Sequence, residues 1–80
     1  MYEAIKKVVE YCNKAWKVCL SEREIEASID QFLYELSLSN RNHIEHHLLT
    51  LLCGLAEDSM NGSTEAETYY EAIMDYIIAE

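Results

Sequence analysis

The sequence predicts an all-α fold, a small antiparallel four-helix bundle, and three observations predict it. There is no proline, and glycine occurs only at Gly54 and Gly62, so little in the chain interrupts a helix or favours the turns of a sheet. Apolar residues recur at helical spacing in four successive stretches. Two of the junctions between them, Ser21-Glu-Arg-Glu24 and Thr64-Glu-Ala-Glu67, have the form of a capping box, in which hydroxyl and carboxylate reciprocally satisfy free backbone amides. Eighty residues, half of them hydrophobic, suffice for one core, are too few for two and are too apolar for intrinsic disorder. A single domain over residues 1–80 is expected.

The first helix is expected from Tyr2 to Leu20. Ile5, Val8, Val9, Cys12, Trp16, Cys19 and Leu20 share one face, and Lys6, Lys7, Glu10, Lys14 and Lys17 the other. Trp16 reads as a core anchor near the edge of the bundle, where its indole N–H can find a partner. Ser21 then caps a second helix that starts almost without a loop and buries Ile25, Ile29, Phe32, Leu33 and Leu36, while Tyr34 and Leu38 point away. The polar run from Ser37 to Asn42 is a turn.

The central helix is expected from Arg41 to Met60, capped by Asn40 and stopped by Asn61-Gly62. Ile44, Leu48, Leu51, Leu52 and Leu55 form its main apolar face. Leu49, Cys53 and Ala56 extend the apolar surface round a second side, which calls for a neighbour there as well. After the Thr64 box, the fourth helix buries Ala66, Tyr70, Ile73, Met74 and Ile77. Beside that face runs an acidic stripe of Glu67, Glu71 and Asp75, with a tyrosine stripe of Tyr69 and Tyr76 on the other side. Glu80 stands at the unfavourable, negative end of the helix dipole.

The formal net charge is −9. Four lysines against two glutamates give the first twenty residues +2, which leaves −11 for the rest, and from Asn42 onward there is no lysine or arginine. Such a surface repels nucleic acid and acidic membranes and favours basic partners. Cys12, Cys19 and Cys53 are odd in number, and Cys12 and Cys19 would lie roughly 10 Å apart along a helix, too far for a disulfide, so reduced core thiols in a cytoplasmic protein are expected. No stretch has the length of a membrane span, and the first residues do not form a signal peptide.

Residues with the means for chemistry are few. His43 and His47, four apart, would share a helix face and with His46 form a candidate metal cluster, but His-Ile-Glu-His-His matches neither zinc-protease pattern, and no metal or other cofactor is expected. There is no glycine-rich phosphate loop and no nucleophile elbow, so the chain is not expected to be an enzyme. Asp58-Ser59-Met60 resembles the attachment site of acyl carrier proteins, which are also small acidic four-helix domains. In that family the serine opens the second helix, whereas Ser59 closes the third, so no phosphopantetheine role carries over.

Carboxylates at helical intervals, interspersed with tyrosines, can occupy a basic groove built for phosphates. Glu67, Glu71, Asp75, Tyr76 and Tyr69 are the expected partner-binding residues, with Glu26, Asp30 and Tyr34 as a second patch. In size, acidity and helicity, though in no motif, the chain resembles many phage anti-CRISPR and anti-restriction proteins. More distantly it resembles immunity proteins that block toxic nucleases. The resemblance implies a small acidic inhibitor or adaptor in a bacterial cytoplasm that docks on a basic protein such as a nuclease or nucleic-acid-binding complex, without touching nucleic acid or membrane itself. An antitoxin-like protein is a related alternative. A helical homodimer would instead use Tyr11, Val18, Tyr34, Leu38 and Ile78, apolar residues outside the expected core faces.

Overall fold

The computed structural model describes residues 1–78. It is all-α, with four helices, α1 (Tyr2–Ala15), α2 (Glu22–Leu38), α3 (His46–Met60) and α4 (Thr64–Ile78), and no strand among the described residues. The expectation for Glu80 lies outside those residues. The chain forms two compact units, Met1–Tyr34 and Glu35–Glu80.

In the first unit, α1 buries Ile5, Val8, Val9 and Cys12, the first part of the face expected for it. The helix stops at Ala15, five residues early. Val18 N–H donates to the Asn13 carbonyl (3.2 Å) and Trp16 N–H to the Cys12 carbonyl (2.9 Å), while Lys17 adopts a left-handed φ of 52°. This is the chain reversal that usually closes a helix on glycine. Asn13 then holds the linker with its side chain, its Oδ1 accepting the Leu20 N–H at 2.8 Å. Trp16 and Cys19, expected in the core, are therefore exposed, and Leu20 is half-buried. Residues 16–21 form a real linker where almost none was expected. The Ser21 box forms as read: Glu24 N–H donates to Ser21 Oγ and Ser21 N–H to Glu24 Oε1, both at 3.3 Å. Beyond it Ile29 is buried, and Ile25, Phe32 and Leu33 are half-buried.

In the second unit, α3 begins five residues later than expected. Asn40 does not cap it. Its side-chain Oδ1 accepts the N–H groups of Asn42 (2.8 Å) and His43 (3.2 Å), and Asn40 and His43 exchange backbone hydrogen bonds, so 40–43 is a tight turn. An Asn side chain that bonds its own backbone two residues on competes with helix formation. Leu48, Leu51, Leu52 and Leu55 are buried, each worth about 1.5–3 kcal/mol of burial. Ile44 is half-buried ahead of the helix. The Asn61-Gly62 stop is where it was expected: Ser63 N–H bonds the Asp58 carbonyl (3.0 Å) and Gly62 N–H the Ser59 carbonyl (3.0 Å), with Gly62 at φ 103°. The cap of α4 is Ser63 rather than Thr64, its Oγ accepting the Ala66 N–H at 3.1 Å. α4 packs on α3 through buried Ala66, Ile73 and Ile77, with Tyr70 and Met74 half-buried.

Candidate functional site

The acidic stripe of α4 stands free on one side of the helix. Glu67, Glu71 and Asp75 are exposed, and among the described residues no lysine or arginine forms an ion pair with them. Tyr76 is exposed, while Tyr69 is half-buried, its hydroxyl donating to Glu65 Oε1 at 2.9 Å. The tyrosine stripe is thus partly committed to its own helix. Glu67 sits in the first turn, where the positive end of the helix dipole favours a carboxylate. Glu71 and Asp75 lie beyond that help.

The second expected patch lies in the first unit. Glu26, Asp30 and Tyr34 are exposed on α2, Tyr34 by 61%. Glu26 lines a polar cleft of about 310 Å³ together with Lys6, Glu10 and Glu22. Lysine beside these carboxylates makes this patch mixed in charge, unlike α4.

The histidines do not gather. His43 lies in the turn before α3, its Nε2 2.9 Å from Glu45 Oε1, so it shares no helix face with His47. His47 Nδ1 lies 3.3 Å from Glu35 Oε1. Among the described residues, no three His, Cys, Asp or Glu side chains are grouped as metal ligands. Ser59 closes α3 and its carbonyl is part of the helix stop.

Two features were missed in the sequence. One is Glu35, whose side chain is only 5% exposed. Its Oε1 accepts the His47 N–H (3.1 Å), so the end of α2 caps the start of α3, and Ser39 supports the join by donating to the Glu35 carbonyl (2.8 Å) and accepting the Glu45 N–H (3.2 Å). Glu35 Oε2 is buried with no hydrogen-bond partner among the described residues. A signal was present: Phe32, Glu35 and Ser39 follow helical spacing on the inward side of α2, where a carboxylate needs a reason. The other is an apolar cavity of about 130 Å³ within the second unit, with buried Leu52 at its base. Leu49, Cys53 and Ala56 of α3 line one side, and Tyr70 and Met74 of α4 the other. The second apolar side of α3, expected to be covered, is open here: Leu49 is 45% exposed and Cys53 is an exposed free thiol, not a core one.

No helix among the described residues is long and apolar enough to cross a membrane. No family model, curated protein or solved structure matches the chain.

Proposed function

We propose that this protein is a small acidic inhibitor or adaptor, of the anti-CRISPR or anti-restriction kind, that blocks a basic nucleic-acid-binding protein by presenting carboxylates in place of phosphates. The observation that carries the reading is the row of exposed, unneutralised carboxylates Glu67, Glu71 and Asp75 on α4, in a sequence with no lysine or arginine after Arg41. Like charges four apart on a helix cost about 0.2–0.5 kcal/mol per pair, and two such pairs stand here without compensation. Partner binding gives that cost a use, because an acidic face speeds encounter with a basic one and fixes its register.

The test is affinity capture from a bacterial lysate with the tagged protein and with a variant carrying Glu67→Gln, Glu71→Gln and Asp75→Asn, at low and high NaCl. The reading expects the parent to retain a nuclease or nucleic-acid complex at low salt, to lose it at high salt, and the variant to retain little. Capture that is indifferent to both salt and substitution would sink the mimic. Retention of nothing but further copies of the chain would point to the homodimer, of whose candidate residues Val18, Tyr34, Leu38 and Ile78 are exposed and Tyr11 is half-buried.

A further inference from the structure

The apolar cavity of the second unit does not stand alone. Leu49, Cys53, Ala56 and Met60 recur at i, i+4, i+7 and i+11 along α3, so they form one stripe running past it for about three turns. Met60, at the end of that stripe, is 87% exposed. The cavity measures about 130 Å³, close to the ~150 Å³ apolar cavity that accepts a benzene ring. One leucine, methionine or phenylalanine side chain fits it.

Its banks are charged. Glu57 stands one turn after Cys53 on α3, while Glu67 and Glu71 stand three residues before Tyr70 and Met74 on α4, and all three are exposed. No lysine or arginine lies in α3 or α4. A second copy that met this face with its own α3 and α4 would bring the same carboxylates against them, and an anionic ligand would be repelled likewise. A cationic apolar segment is complementary on both counts. An open stripe of about three turns beside a second helix is the geometry in which an amphipathic helix lays its apolar face.

We propose that the α3–α4 groove is the docking site for a basic amphipathic helix of a partner protein. One apolar side chain of that helix seats between Leu49, Cys53, Tyr70 and Met74, while its lysines or arginines meet Glu57, Glu67 and Glu71. The proposal rests on the reading of α4 as a docking surface and moves the apolar anchor away from Tyr76, which lies about 160° around the helix from Met74.

The test uses a labelled synthetic peptide of about four helical turns, with leucines at i and i+4 and lysines on the flanking positions. A matched peptide has the leucines changed to alanine, and a third has the lysines changed to glutamine. Binding is followed by fluorescence anisotropy and mapped by amide NMR shifts on the whole protein. The groove predicts binding of the first peptide, with shifts centred on Leu49, Cys53, Ala56, Tyr70 and Met74. It also predicts about tenfold or greater weakening by either peptide change and by Cys53→Trp, which fills the cavity from an exposed position, with Thr68→Ala, exposed on the far side of α4, as a near-neutral control. Circular dichroism checks that the Cys53→Trp protein keeps its helices, and the two peptide changes test the groove on the unaltered chain.

Equal binding of the leucine and alanine peptides would overturn the groove while leaving charge-driven docking on α4 standing. Failure of all three peptides would also overturn it, and the capture experiment would then decide separately on the docking surface. Broadening of the groove resonances with protein concentration alone would assign the stripe to a second copy and overturn the proposal as well.

Discussion

At the scale of single residues, the chain turns on positions where a side chain does what glycine or a helical neighbour would ordinarily do. α1 and α3 both end on a bond spanning five residues, Val18 N–H to the Asn13 carbonyl and Ser63 N–H to the Asp58 carbonyl, but α3 has Gly62 at the left-handed position and α1 has Lys17. A left-handed non-glycine residue costs about 1–2 kcal/mol, of which the greater freedom of unfolded glycine would return part. Lys17→Gly is therefore expected to stabilise by about 0.5–1 kcal/mol and raise Tm by a few degrees. Gly62→Ala should destabilise by about 1 kcal/mol through backbone strain alone, since nothing lies within 4 Å of the added carbon. Thermal unfolding of the two variants checks both. The reversal at Lys17 could not be read beforehand because nothing in its residue type asks for a positive φ. The one at Gly62 could, because glycine there removes the penalty that would otherwise forbid it.

At the scale of helices, the caps decide where each element starts. Ser63 rather than Thr64 accepts the Ala66 amide at the head of α4, so Ser63→Ala should cost about 1 kcal/mol and Thr64→Ala less than half that. Urea titration of the pair separates the two registers. The start of α3 has no acidic residue in its own first turn, and Glu35 supplies one from the end of α2. Removing it as Glu35→Ala would strip the His47 amide of its acceptor and leave a void in a buried position, at a cost of about 2–3 kcal/mol. Slower denaturation of that variant than of the parent would contradict the role. Both capping boxes were visible as serine or threonine followed by glutamate, yet among the described residues only the first forms as a box; at the second, Ser63 caps one residue earlier and faces Ala66, which has no carboxylate to reciprocate. Ser63 and Thr64 are both competent caps, and the tight reversal at Gly62 selects Ser63 by leaving it the first residue out of the turn.

At the scale of the whole molecule, charge is the dominant property. With a formal net charge of −9 and an α4 stripe that pairs with no lysine or arginine among the described residues, self-repulsion opposes folding at low ionic strength. Screening shortens from about 30 Å at 0.01 M to about 3 Å at 1 M salt. Raising NaCl across that range is thus expected to raise Tm by several degrees. The Glu67→Gln, Glu71→Gln and Asp75→Asn variant should begin higher and respond less. The same carboxylates that lower stability in isolation are the ones proposed to meet a basic partner, which gives stability and binding opposite dependences on salt.

The sequence by itself determined the all-α class, the four helices, the leucine face of α3, the burial of Ala66, Ile73 and Ile77 in α4 and the exposure of the acidic stripe. Those follow from periodicity, from the scarcity of glycine and proline, and from the cost of burying a charge, all of which act over a few residues. Tertiary structure alone decided that α1 stops at Ala15 and frees Trp16 and Cys19, that Asn40 makes a turn rather than a cap, that His43 and His47 part, that Glu35 caps α3, and that Leu49 and Cys53 border an open cavity. Each of these depends on which of several competent partners reaches a given polar group or apolar side first. For Glu35 and the cavity that competition is settled by packing between separate helices, whereas at Asn13 and Asn40 it is settled among local hydrogen bonds that residue type alone does not rank.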